Sequence, residues 1–226
     1  MIELINVKKV FNAGRPSEFT ALGGISLNIE DRKVTVLKGP SGSGKTTLLC
    51  IIGCMSRPTA GRVRLDGREI SGLPERFLTD IRRKGFGFIF QVPNLIRGMS
   101  VLENVMLPAY PLGEPHARLK ERAIRGLNDF HVSTKATSKV EWLSGGEAQR
   151  VAIVRALIND PDVIIADEPT AHLDTHLSYL FMEIVENFKK EGKTVIIASH
   201  DPLVCESRIV DSVINMRDGR IEGESS

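Results

Sequence analysis

The sequence predicts an α/β fold in which a parallel β-sheet with flanking helices is joined by an antiparallel β layer and an inserted α-helical subdomain. Three observations carry this expectation. Short apolar runs at 34–37, 163–166 and 195–198 each stop at polar residues: Gly39-Pro40-Ser41, Asp167-Glu168 and Ser199-His200-Asp201. Buried parallel strands read this way. Helical stretches follow or separate the runs at 45–52, 146–158 and 177–190, the last apolar at Leu177, Leu180, Phe181, Ile184, Val185 and Phe188. Ligands of open α/β sheets collect beyond the carboxyl ends of the strands, so the three polar ends predict one site.

The remaining elements follow in order. Residues 2–10, 25–30 and 62–67 alternate or turn tightly, as antiparallel strands do. Between Gln91 and Leu143 the pattern becomes helical near 101–107 and 115–128, with Pro93, Pro108, Pro111 and Pro115 punctuating loops. The expected organisation is a single domain over 1–226, with the core and β layer in 1–90 and 144–226 and a helical subdomain at 91–143. Gly223-Glu224-Ser225-Ser226 reads as a short flexible tail.

Composition narrows the function classes. Hydrophobic residues make up 42% and charged ones 26%, which excludes disordered, collagenous and coiled-coil chains. Lys plus Arg number 30 and Asp plus Glu 28, a formal charge of +2. That balance is too even for binding nucleic acid through the electrostatic field alone, and no direct nucleic-acid partner is expected. Cys50, Cys54 and Cys205 lack the spacing of a disulfide scaffold, and Met1 leads into Ile2-Glu3-Leu4-Ile5 without a signal-peptide pattern. The chain therefore reads as cytosolic, with apolar runs far below the ~20 residues a membrane span needs. A membrane role would require another chain to do the spanning.

The chemistry is concentrated in a few motifs. Gly39-Pro40-Ser41-Gly42-Ser43-Gly44-Lys45-Thr46 matches G-x-x-x-x-G-K-[ST] between a predicted strand and a predicted helix. Backbone N–H groups of such a loop wrap phosphates at the positive end of a helix, Lys45 adds a fixed charge, and Thr46 offers a hydroxyl to Mg²⁺. At the end of the second apolar run, Asp167 suits the Mg²⁺ shell and Glu168 can polarise an attacking water. Leu143-Ser144-Gly145-Gly146-Glu147 is a second glycine-rich helix start, with Ser144 as cap. Roughly a hundred residues separate it from Lys45, so a head-to-tail pair of chains could close both around one nucleotide. Other features read as structural: Cys50 and Cys54, four apart on the helix after the loop, as core-facing thiols; Arg82-Arg83-Lys84 as a solvated face; Trp142 as packed locally.

Taken together, the phosphate loop, Gln91, the 143–147 signature, the strand ending in Asp167-Glu168, Ala171-His172-Leu173-Asp174 and His200 resemble ATP-binding subunits of ABC transporters over essentially the whole length. The resemblance implies a P-loop NTPase core, ATP and Mg²⁺ as ligands, and ATPase activity. It implies that Phe11 stacks on adenine, that residues 39–47 including Thr47 cradle the phosphates, and that Thr46, Gln91 and Asp167 hold Mg²⁺. Glu168, His200 and Gln91 become the catalytic set, and Ser144, Gly145, Gly146, Glu147 and Asp174 contact a nucleotide across a homodimer. His172 stands where the family usually has Ala or Asn before Leu-Asp. Segments 85–91 and 102–108 look most like the subgroup serving lipoprotein release and macrolide efflux. That subgroup implies a separate integral membrane permease and a place on the cytoplasmic face of the inner membrane. An importer ATPase, or a soluble ATPase of this family acting on nucleic acid, is the alternative.

Overall fold

The computed structural model of the chain describes residues 1–171 and 173–222. The expectations placed on His172 and on the tail at 223–226 lie outside the described residues. One sheet is antiparallel and four-stranded, in the order β2 (Phe19–Ile29), β1 (Ile2–Phe11), β4 (Ala60–Leu65), β5 (Arg68–Glu69). The other is six-stranded: β10 (Arg220–Ile221), β9 (Ser212–Arg217), β3 (Val34–Lys38), β8 (Thr194–Ser199), β7 (Val163–Asp167), β6 (Phe86–Ile89). Strands β9, β3, β8, β7 and β6 pair in parallel, and β10 closes an antiparallel edge on β9.

The apolar runs become central strands because both faces of the parallel sheet are covered. Val34, Val36, Ile164, Ala166, Val195 and Ile197 point into one core, and Leu37, Ile165, Ile196 and Ala198 into the other. This is the period-two alternation of a strand with both sides apolar. On the first side lie α6 (Thr175–Lys190), through Phe181, Val185 and Phe188, and the short α7 (Pro202–Cys205). On the second side α1 (Lys45–Ile52) is sandwiched between the sheet and the antiparallel layer, with Leu48, Leu49, Ile51 and Ile52 buried. A third cluster joins α3 (Val101–Met106) and α4 (His116–Asp129) to Val151, Val154 and Ile158 on or beside α5 (Gly145–Leu157).

Several local expectations change. Strand β2 begins at Phe19, six residues before the predicted start, because pairing with β1 continues from Ile2↔Ile29 to Phe11↔Phe19 through bulges that interrupt the alternation. Helix α2 (Glu75–Gly85) was not anticipated: it buries only Leu78. The basic run Arg82-Arg83-Lys84 is its last turn, where cations meet the free carbonyl end. There Arg82 donates to the Cys54 carbonyl at 2.5 Å and pairs with Glu75 at 3.2 Å. Cys54 is buried as expected, but it lies beyond α1 in the left-handed region at φ 60°, not on the helix. Trp142 does not pack locally; it stands 75% exposed at the end of the 3₁₀ turn Val140–Trp142.

Candidate active site

Strand register brings the motifs together. In the adjacent strands β3, β8 and β7, Lys38 lies opposite Ser199 and Ala198 opposite Asp167; in β6, Ile89 lies opposite Ala166. The chain leaving these strands, at Gly39, His200, Glu168 and Gln91, therefore emerges along one edge of the sheet. Segments up to 161 residues apart in sequence, Gly39 and His200, meet there because the parallel order places their carboxyl ends side by side.

The phosphate loop is fixed by close backbone contacts. A Cβ on Gly39 would sit 2.2 Å from the Met216 carbonyl oxygen, and one on Gly44 2.8 Å from that of Ala21. Gly44 also takes φ 98° as the N-cap of α1, a backbone position that glycine allows, and with no side chain it leaves the helix start uncapped. The first N–H groups of α1 thus face the cleft beside a buried lysine. Lys45 Nζ donates to the carbonyls of Gly39 at 2.7 Å and Pro40 at 3.1 Å, and lies 3.6 Å from Glu168 Oε1.

The acidic pair is divided between two tasks by geometry. Thr46 Oγ1 donates to Asp167 Oδ2 at 2.8 Å, while Asp167 Oδ1 is buried with no partner. Burial pushes the Asp167 carboxyl up and the neighbouring Glu168 charge adds to this; the Thr46 hydrogen bond and the Lys45 charge oppose it without cancelling it. Glu168 occupies the left-handed region at φ 45°, pinned by its N–H to the Ala198 carbonyl at 2.9 Å. A non-glycine residue held there costs on the order of 1–2 kcal/mol. From this backbone position the Glu168 side chain meets His200, whose Nδ1 is 3.0 Å from Oε1.

A cleft of about 300 Å³ is lined by Ser41, Gly42, Ser43, Gly44, Lys45, Thr46, Thr47, Gln91, Glu168 and His200, together with Phe19 and Ala21. Gly39 and Pro40 serve it through their carbonyls on Lys45, and Asp167 through Thr46. Phe11 sits at the end of β1, opposite Phe19, 42% exposed and with Lys9 Nζ 5.1 Å above its ring. Phe11 is outside the cleft wall and Phe19 is in it. Sequence reasoning missed Phe19 because the strand pattern of β2 is regular only from Ile25, beyond the irregular pairing that carries it back to Phe19. It also missed Gln149, a buried residue whose Nε2 lies 3.4 Å from the carbonyls of both Phe90 and Pro169, tying α5 to the segments beside Gln91 and Glu168.

The second glycine-rich helix start is not in this cleft. Ser144 caps α5 in a full capping box: Glu147 N–H donates to Ser144 Oγ at 3.3 Å, and Ser144 N–H donates to Glu147 Oε2 at 2.8 Å. Gly145 and Gly146 follow in the first turn. Asp174 caps α6, accepting from Leu177 N–H at 2.9 Å.

The profile of the ABC transporter family matches residues 22–171, from the middle of β2 through the phosphate loop and α5 to the segment after Glu168. The chain belongs to the ABC transporter family. The lipoprotein-releasing system ATP-binding protein LolD of Bacteroides fragilis is 40% identical over 98% of this chain and 100% of its own length. The macrolide export ATP-binding/permease protein MacB of Rhodospirillum rubrum is 40% identical over 100% of this chain, which spans only 34% of that longer protein. Among solved structures, the dimeric bacterial ABC transporter cassette MJ0796 is similar at TM-score 0.91 and 38% identity, covering 100% of this chain and 98% of that one. A post-hydrolysis state of the same cassette bound to ADP and Pi is equally similar. This chain is an ABC ATPase with a P-loop NTPase core, a nucleotide-binding subunit of the LolD/MacB kind.

Proposed function

We propose that the chain hydrolyses ATP to drive a separate membrane permease of the lipoprotein-release or macrolide-efflux type, through head-to-tail pairing of two copies over two ATP molecules. The observation that carries this reading is the separation of the two glycine-rich helix starts: α1 opens into the cleft, whereas α5 begins outside it. In a head-to-tail pair, each cleft would be completed by the Ser144 to Glu147 turn of the other copy. No helix among the described residues is long and apolar enough to cross a membrane, in keeping with a permease on another chain and a place for this one on the membrane's cytoplasmic face.

The site fits Mg²⁺. Asp167 Oδ1 is a buried, unpartnered carboxylate oxygen beside the Thr46 hydroxyl, and the Gln91 side chain lines the same cleft. These are hard oxygen donors, too few to hold the ion alone, which is how Mg²⁺ sites completed by substrate phosphates are built. Thr46, Asp167 and Gln91 would hold the ion, which when bound neutralises phosphate charge. Lys45 and the α1 N–H groups bind the phosphates, Phe19 in the cleft wall faces the base with Phe11 opposite it at the rim as the expected stacking ring, and Glu168 orients or deprotonates the attacking water. His200 holds Glu168 and approaches the γ-phosphate. Ser144, Gly145, Gly146, Glu147 and Asp174 serve the partner's nucleotide.

The test is the Glu168→Gln protein, its solution mass measured with and without Mg-ATP beside wild-type turnover. The expected outcome is a loss of turnover of about a hundredfold or more with an ATP-dependent shift from monomer to dimer. Full turnover in this variant would remove Glu168 from its role; ATP binding without any dimer would break the composite site.

A further inference from the structure

Trp142 is the one tryptophan of the chain and its most exposed large apolar side chain among the described residues, 75% accessible to water. Scattered exposed hydrophobics are ordinary, but this one is mounted rigidly. Glu141 accepts from the Gly98 N–H at 2.5 Å, Lys139 Nζ donates to the Gly98 carbonyl, and Val140 N–H donates to the Met99 carbonyl at 3.3 Å. Ser100 and Lys139 form a β-bridge, and Val140 is buried in the helical cluster. Two residues further on, Ser144 is locked in its capping box. The indole is therefore held out from a braced turn beside the start of α5, rather than swinging from a loose loop. A ring of this kind removes about 150–250 Å² from water when covered, and the backbone that carries it needs no ordering when a partner arrives.

We propose that Trp142 is an interface anchor for a second copy of this chain, buried when that copy closes over nucleotide against the start of α5. This rests on the head-to-tail reading above, because exposed Trp142 stands two residues before Ser144, also exposed, in the turn that the reading sets against the partner. Aromatic anchors of this type dominate the energetics of interfaces they enter.

Because the chain has a single tryptophan, its fluorescence reports on this position alone. In the Glu168→Gln protein, Mg-ATP should shift Trp142 emission to the blue and reduce its quenching by acrylamide severalfold, in step with dimer formation followed by sedimentation. Trp142→Ala should weaken the ATP-dependent dimer at least tenfold, leave the affinity of the monomer for ADP unchanged, and leave the melting temperature unchanged; Trp142→Phe should recover part of the loss. A dimer that forms with Trp142 as accessible to acrylamide as before, or that forms equally well in Trp142→Ala, overturns the inference and leaves the head-to-tail reading standing. A chain that stays monomeric by mass overturns both.

Discussion

Helices α1 and α5 both start at glycines, yet the two starts are built on opposite plans. Helix α1 has a left-handed glycine as N-cap, no side-chain cap and no acidic residue in its first turn, with Lys45 as its first residue. An isolated helix would be weakened by each of these choices, since the N-terminus favours side-chain acceptors and negative charge. Helix α5 has Ser144 and Glu147 in a reciprocal capping box, and Lys135 3.6 Å from Glu147. It is stable as it stands. A helix end left open inside a cleft needs an anion from outside; one that satisfies itself does not. The difference fits the proposed roles, in which α1 holds the nucleotide of its own copy and α5 meets the partner's only on closure.

The sharpest way to break this comparison is to disable each end in a different molecule. Lys45→Ala and Ser144→Arg should each lower ATPase activity at least a hundredfold on their own. If α5 serves the cleft of the other copy, an equimolar mixture should recover about a quarter of wild-type activity, since half of the random pairs are mixed and each holds one intact composite site. No recovery would mean that both ends act on one nucleotide within one chain, or that α5 has no phosphate role.

The α1 side of this contrast was legible from the sequence, because its chemistry is contiguous. Residues 39–47 carry their own spacing, and the strands ending at Lys38, Asp167 and Ser199 are short apolar runs that only a doubly covered sheet explains. That Glu168 and His200 share a site was expected from the strand ends and the family resemblance, but the 3.0 Å contact between them and the left-handed backbone of Glu168, which accompanies its bond to Ala198, carry no local sequence signal. Helix α2 was hidden because one buried leucine leaves no periodic signal, and the start of β2 because the pairing with β1 leaves an extra β2 residue at Gly24 and again at Ala21, which breaks its alternation. Residues that act through tertiary contact, such as Gln149 and Phe19, carry no local pattern at all.

The strand-borne half of the site should also be in tension with stability, where the α5 half is not. Asp167 is kept as a carboxylate with one oxygen buried and unpartnered, and a neutral amide of the same shape still accepts the Thr46 hydroxyl. Asp167→Asn is therefore expected to raise stability without nucleotide by about 1 kcal/mol, or about 2–4 °C in melting temperature for a chain of this size, while abolishing Mg-dependent ATPase activity. Calorimetry beside a turnover assay checks it. A variant that melts lower than wild type would show that the carboxylate stabilises the empty fold, and the contrast between the two ends would lose its energetic basis.

The smallest effect concerns the charge that makes α5 self-sufficient. Glu147 is held below the usual carboxylate range, first by the Ser144 N–H and then by Lys135. A carboxyl with a depressed folded pKa contributes stability that is complete above its unfolded value of 4.5 and disappears as pH falls through the folded value. Glu147→Gln keeps an acceptor for the Ser144 N–H and removes only the charge. It should therefore cost a few tenths of a kcal/mol at neutral pH, the scale of a solvent-screened helix-end charge, and nothing in strong acid. Urea melts of the two proteins at both pH values measure this directly. A neutral-pH loss above about 1 kcal/mol, a full cap's worth, would mean that α5 depends on that charge as heavily as α1 depends on its ligand, and the two helix starts would then differ in the source of the anion rather than in the need for one.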